Sequence, residues 1–558
     1  MSGMMEKASF QEILLHPGIF LILSSAILYI FRYFKIFNML AVFLPVIAAI
    51  ICSAQPESVY YNFYEIWQFS FQYNYYNKIA CLCILLCSSC INLSAWKNQH
   101  CSNFSVIIAM LYTGISIISM LSVDFSTMVY SLEFASLAAV LMIYNKTNES
   151  QIETAYQYLI VHSLSIMLIL AGSSIIISSY GLPITNLAKL IEDFEYNSYL
   201  TLAAIVILLG LLINIACPIF SYWLVDSYSI SKTTASVYLS MLTTTINLIW
   251  IFKLFLGLKI LIIIGTFITL FGIIYSILEN EIKRSFSYSS IAKTGIILVM
   301  LGIYEHNTDY NALSNYNQEA VLMLLCISYI PCQCVIMLIC GWLKDKYTLT
   351  SFTDFSNKIV TIDPVLLIAI GYSLALFFAT PFTTFYYTNV LALKNNNIIY
   401  FLNIIMATQL LCIPLTSICK NVRIIKFSQV YGIDGTKYIN MAEYIAIICF
   451  ITINLILYFY IADFTYLLQQ LTIITAGLIA SYVSCPTKIS GKILLPENIL
   501  YNKACNSIDL CSNKFFSWQS KLQFPKILRL SNNLELSNSL SIVATILILL
   551  TIIIIDII

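Results

Sequence analysis

Charge is what this sequence has least of. Of 558 residues only 28 are Lys or Arg and 27 are Asp or Glu, 10% in all, where a soluble domain carries about a quarter. That scarcity excludes an ordinary globular enzyme. A net charge of +1 without a basic block also removes the electrostatic footprint that nucleic-acid binding requires. Histidine is scarcer still. His16, His100, His162 and His306 never stand at ligand spacing, so haem and zinc chemistry find no support and no cofactor is implied. Cysteine is plentiful, but Cys81, Cys83, Cys87 and Cys90 lie in an apolar run with no histidine near them. The thiolates that a metal needs are costly in lipid, and these four are expected as small packing hydrophobes.

What is present is apolar surface. Residues of the set AVILMFWYC make up 60% of the chain, distributed in a series of segments of about 20 residues, each enough to cross a hydrocarbon core about 30 Å thick. Candidate spans fall near 9–31, 36–54, 79–95, 104–122, 124–144, 155–180, 199–224, 233–256, 258–278, 289–305, 319–343, 363–390, 397–419, 442–462, 464–484 and 538–558. The expected fold class is therefore an all-α polytopic membrane protein with about 14–16 transmembrane helices. Residues 1–8 lack a basic stretch and no cleavage site follows a short apolar core, so the first span is expected to be retained.

The placement of the basic residues tests that series of spans. Loops after odd-numbered spans and their flanks hold 22 Lys and Arg, including Lys283, Arg284 and Lys293, and those after even-numbered spans hold 5. The positive-inside rule then puts the odd loops on the internal side and both termini outside. The aromatic and polar stretch 55–78 is expected as an external cap or hairpin. Residues 485–537 are expected as a basic internal segment.

An ionisable group at mid-span is costly unless paired or hydrated. Glu133 stands nine residues after Asp124, hence roughly 13 Å deep at 1.5 Å per residue. It reads either as part of an ion path or as a hydrogen-bonded carboxyl packing two helices. His162, in the next span, reads as a core histidine or a second path residue. Prolines interrupt two spans beside polar residues: Pro218 with Asn214 in the seventh, and Pro381 with Thr380, Thr383, Thr384 and Thr388 in the twelfth. Such breaks are tolerated where protein or water satisfies the freed backbone, and paired breaks point to a transporter built of repeats.

Several motifs sharpen this reading. The run LLGLLINIACPIFSYWLVDSY, residues 208–228 with Trp223, Asp226 and Tyr228, and the run EIKRSFSYSSIAKTG, residues 281–295 with Lys283, Arg284, Tyr288, Ser289 and Ser290, resemble motifs of the antiporter-like membrane subunits. That family is shared by proton-pumping NADH-quinone oxidoreductases and multi-subunit Na+/H+ antiporters. SVYLSMLTTT, AYQYLIV and PENILYNK are similar to further family elements, and Glu133 falls on the family's fifth-helix glutamate. The resemblance implies antiporter-like inverted repeats with broken helices seven and twelve. The implied organisation is 1–104 as N-terminal helices with an external cap, 105–280 and 281–420 as the two repeat regions, and 421–558 as C-terminal helices carrying the basic segment.

The resemblance also implies a row of buried charges, and here the sequence departs from it. The family's helix-seven lysine falls on Asn214, its helix-eight lysine on Thr245, its helix-eleven histidine and lysine on Tyr329 and Gln333, and its helix-twelve charge on Thr388. Glu133 thus keeps its place without its lysine partner. Two functions are expected from this. The first is a membrane subunit of an NADH-quinone oxidoreductase-like or cation/proton antiporter complex, non-catalytic by itself and either translocating or, with most of its path lysines replaced, a non-pumping structural paralogue. The alternative is an independent transporter of a neutral or organic solute. The expected partners are the lipid bilayer and other membrane subunits of a respiratory or antiporter complex. The expected location is a bacterial inner membrane, or alternatively the mitochondrial one.

Overall fold

The computed structural model describes residues 6–7, 16–34, 36–56, 60–63, 69–96, 103–145, 148–180, 198–304, 312–347, 349–351, 360–362, 422–424 and 441–461. All lie in the compact unit Met1–Cys485. Thirteen α-helices carry the architecture of these residues: α1 Pro17–Ile30, α2 Phe37–Ala54, α3 Tyr75–Ala95, α4 Asn103–Leu121, α5 Phe125–Ile143, α6 Glu149–Tyr180, α7 Ser198–Asn214, α8 Tyr222–Ile230, α9 Thr233–Phe255, α10 Ile260–Leu278, α11 Ile282–Ile303, α12 Ala312–Tyr347 and α13 Met441–Ile461. Eight of the described helices are long and apolar enough to cross a membrane. Regular helix is what lipid demands, because every backbone N–H and C=O must be satisfied within the segment.

Polar residues at the ends set where these helices start. Asp124 caps α5 by accepting hydrogen bonds from the Thr127 amide at 2.7 Å and its hydroxyl at 2.5 Å. His16 caps α1 by accepting from the Gly18 amide at 3.1 Å, with Pro17 in the first turn. Both are N-terminal signals that the first unsatisfied N–H groups require. The 55–78 stretch forms the expected hairpin: β2 Tyr60–Phe63 pairs antiparallel with β3 Phe69–Gln72, and β1 Glu6–Lys7 runs parallel to β2.

Small residues bring helices into backbone contact where no hydrophobic drive exists between them. Gly18 of α1 meets Gly114 of α4, Gly172 of α6 meets Ala203 of α7, and Gly265 of α10 meets Gly295 of α11. Among the described helices the pair α10–α11 has the most extensive packing. Inside this frame α9 is buried almost throughout its length, and Trp223, Trp250 and Trp342 are fully buried. α9 is therefore the central helix against which the polar residues of its neighbours converge.

Two sequence expectations are corrected. Glu133 is exposed on α5, in line with Tyr130, Phe134, Leu137 and Leu141 on the outward stripe, while Met128, Leu132, Ala135 and Ala139 face inward. Depth was legible along the sequence; which way the helix turns its faces is set by its neighbours. Lys293, counted with the loops, is a buried residue at the middle of α11, and Lys283 is buried near its start. α11 begins seven residues earlier than hydropathy placed it because protein groups take up its charges. The asymmetry of the loops survives the removal of Lys293 from their count.

Candidate functional site

The seventh span is broken where Pro218 predicts. α7 stops at Asn214, Pro218–Phe220 form a single 3-10 turn, and α8 starts at Tyr222. The amide of Cys217 donates to the Leu212 carbonyl and that of Ala216 to Ile213, both at 3.0 Å. This is the paired bonding of a Schellman cap, which requires one left-handed residue. That residue is Ala216, at φ 62°. Because a Cβ is strained there, Ala216→Gly is expected to raise the stability of the detergent-solubilised chain by about 0.5–1 kcal/mol after the entropic cost of glycine is subtracted. A thermal unfolding midpoint at or below the wild-type value would count against that strain.

Trp223 completes the cap, its indole N–H donating to the Ile213 carbonyl at 3.1 Å. Its ring stands edge-on to His162 at 4.5 Å, Tyr158 stacks on His162 at 4.0 Å, and Tyr158 and Trp223 themselves meet edge-on at 5.3 Å. The histidine lies beside the Asn214 amide. Asn214 donates to Asn247 Oδ1 at 3.1 Å, and Asn247 donates to the Thr243 carbonyl at 2.7 Å. The Thr243 hydroxyl pairs with Tyr112 at 2.6 Å and with Tyr158 at 3.2 Å. One network thus joins α4, α6, α7, α8 and α9 through groups that donate and accept without carrying a fixed charge. His162 Nε2 and Asn214 Oδ1 have no hydrogen-bond partner among the described residues.

A second polar level lies on α11 and α12. Tyr329 sits by the Thr244 and Ser290 hydroxyls. Gln333 is fully buried, with neither amide atom hydrogen-bonded among the described residues. Lys293 donates to Cys332 Sγ at 3.3 Å. The Thr245 hydroxyl, by contrast, donates to its own helix at Met241, 2.6 Å away, so it does not extend the network. Thr388 and Pro381 lie outside the described residues.

The two motifs come together in space. Arg284 Nη1 approaches Asp226 Oδ1 at 2.6 Å and its Nε lies 3.6 Å from Glu279, joining α8 to α11. Tyr288 stacks on Tyr275 at 5.3 Å, Ser289 bonds back to the Phe286 carbonyl, and Lys283 donates to the Ser231 carbonyl at 3.1 Å. The spacing of neutral polar residues within apolar spans was the signal available for the members not singled out beforehand: Thr243 with Asn247, and Tyr158 with His162, are four apart on one helix face. Glu133 joins none of these levels.

Known proteins place this geometry. The family described as "NADH:quinone oxidoreductase/Mrp antiporter, TM" matches residues 122–413. The chain is 30% identical over 193 residues to NADH-ubiquinone oxidoreductase chain 2 of Rhizopus oryzae, covering 33% of this chain and 37% of that one. It is 24% identical over 242 residues to NADH-quinone oxidoreductase subunit N of Desulforamulus reducens, covering 41% and 51%. It thus spans about half or less of the length of these two relatives. Among solved structures, a chain of the membrane-bound sulfane sulfur reductase, an archaeal respiratory membrane complex, superposes with a TM-score of 0.67 at 13% identity, over 85% of this chain and 99% of that one. The fold is that of a multi-spanning, all-α membrane protein of the antiporter type. The chain belongs, as a divergent member, to the NADH:quinone oxidoreductase/Mrp antiporter membrane-subunit family.

Proposed function

We propose that this chain is a membrane subunit of an NADH-quinone oxidoreductase-like or Mrp-like cation/proton antiporter assembly, and that its α4–α9 half is a neutral scaffold that carries no ion by charge switching. The observation that supports this is the Asn214–Asn247 hydrogen bond. It stands where the sequence resemblance places a lysine, with Glu133 turned outward rather than toward it. Asn, Thr and Tyr side chains hold hydrogen bonds across the interior but do not change charge near neutral pH. The outward Glu133 supports the subunit reading as well. A carboxylate at mid-span on an apolar face is costly against lipid, and a neighbouring subunit that bonds it relieves that cost.

The test is purification of the tagged full chain from its native membrane in mild detergent. Stoichiometric recovery of other membrane-arm subunits is expected. Recovery of the chain alone, as a stable monomer, would favour the independent transporter of a neutral or organic solute.

A further inference from the structure

We propose that the junction of α6, α8, α9, α11 and α12 at the basic-loop end of the helices is a binding site for a phosphate group, free or carried by an acidic phospholipid headgroup. The proposal goes beyond the subunit reading and does not depend on it.

Charge comes first. Lys232 stands between α8 and α9, Lys283 in the first turn of α11, and Lys344 and Asp345 in the last turn of α12. These are ends joined by the basic loops, which the positive-inside rule makes the internal side. All four residues line one cavity of about 250 Å³, against about 30 Å³ for the share of one water in the liquid. Three ammonium groups against one carboxylate leave +2 around it, and the carboxylate is already engaged, Asp345 Oδ2 accepting from the Thr233 hydroxyl at 2.5 Å. Glu281 also acts on Lys283 but does not line the cavity. Cations gathered at one hollow repel each other, and an anion among them replaces that repulsion by attraction. Basic pockets between membrane helices on this side are where lipid phosphates bind.

The second observation is a set of buried groups whose bonding is incomplete. Lys283 is 4% exposed. Its ammonium has three N–H donors and two partners, the Ser231 carbonyl at 3.1 Å and the Ser236 hydroxyl at 3.5 Å. Ser231 and Gln151 are buried and line the cavity, yet Ser231 Oγ and Gln151 Oε1 have no hydrogen-bond partner among the described residues. Such atoms are costly to bury unless water or a ligand completes them. α9 starts at Thr233 without a side-chain cap, so the positive end of a 23-residue helix adjoins the same cavity. Helix N-termini of this kind take anions. Lys232 and Lys344 are exposed, and their flexible four-carbon stems let the ammonium groups follow a ligand.

Gln151 narrows the chemistry. Its amide nitrogen donates to the Ile230 carbonyl at 3.1 Å, and a carbonyl only accepts, so the atom left over is the acceptor oxygen. In a site built for an anion, the ligand itself must bring the O–H that this oxygen accepts. A phosphate near neutral pH does so through its P–O–H, and the headgroup of phosphatidylglycerol through its glycerol hydroxyls. Sulfate carries no proton there. The unprotonated oxygens take the lysine ammonium groups in charge-assisted bonds.

The experiment uses the full chain, with whatever co-purifies, in an uncharged detergent and a phosphate-free buffer. Its thermal midpoint is titrated with sodium phosphate, with sodium sulfate at matched ionic strength, and with mixed micelles containing phosphatidylglycerol or phosphatidylcholine. Phosphate or phosphatidylglycerol is expected to raise the midpoint in a saturable way, since a ligand that binds only the folded chain stabilises it. A rise with phosphate identifies a free anion as a ligand, and a rise with phosphatidylglycerol alone identifies the lipid headgroup. The double variant Lys232→Gln, Lys344→Gln alters exposed side chains and is expected to bind at least about tenfold more weakly, as the loss of a charge-assisted bond implies. Gln151→Met is expected to bring phosphate down to the level of sulfate. No rise with either ligand above its sulfate or phosphatidylcholine control, or undiminished binding by the double lysine variant, would overturn the proposal. Co-purification tests the subunit reading separately, so either one can fail without the other.

Discussion

Replacing Gly295 by valine drives α10 away from α11 and lowers the stability of the detergent-solubilised chain by about 3 kcal/mol. A Cβ at this position would stand 2.5 Å from Thr269 Oγ1, 2.6 Å from the Thr269 amide nitrogen and 2.7 Å from the Gly265 carbonyl. Two of those atoms are α10 backbone and cannot rotate aside as a side chain end does, so the whole helix must shift. Helix propensity acts in the other direction, since valine is favoured over glycine in a helix interior by a few tenths of a kcal/mol. The steric term is several times larger and wins. Ile263→Val on the outer face of α10, where Ile263 is 58% exposed, is the control and should stay within about 0.5 kcal/mol of wild type. Thermal or denaturant midpoints in detergent read both. A Gly295→Val chain that unfolds with wild type would mean that the two helix backbones do not touch.

That crossing also explains which parts of the fold could be read along the chain. α2, α4, α5, α9, α10 and α13 start and end within about two residues of the hydropathic runs that predict them, because each is one apolar run bounded by polar residues. α11 and α12 are longer than their apolar runs. Arg284 is taken up by Asp226 and Lys283 by the Ser231 carbonyl, and a window of hydropathy contains no information about such partners. The break at Asn214–Pro218 was legible because proline removes a helix donor wherever it stands. The azimuth of Glu133 was not. Lipid and protein interior are about equally apolar, so a membrane helix lacks the amphipathic stripe that tells a soluble helix which face is buried. Lys293 was missed for a related reason: read as a flank of the basic loop, it has the composition of a topology signal, and only the start of α11 at Ile282 moves it to mid-membrane.

The same distinction between depth and azimuth decides what a restored lysine would do. Asn214→Lys puts an ammonium where the sequence resemblance places one, at a residue 1% exposed. Around it stand the Asn247 amide and the His162 ring. The carboxylate that the resemblance would pair with it, Glu133, is on the outer face of α5. An unpaired cation at the centre of a membrane helix costs about 3 kcal/mol, and losing the Asn214–Asn247 bond adds about 0.6–1 kcal/mol. Asn214→Leu loses only the bond and leaves Asn247 Oδ1 without that donor, so its cost is about 1 kcal/mol. The expected order of unfolding midpoints is wild type, then Asn214→Leu, then Asn214→Lys well below both, with the lysine variant also accumulating least in the membrane. Adding Glu133→Gln to Asn214→Lys should change nothing further, because the two side chains do not meet. If the lysine variant is instead as stable as wild type, and Glu133→Gln then destabilises it by more than about 1 kcal/mol, Glu133 faces position 214 and the outward placement of that carboxylate is wrong.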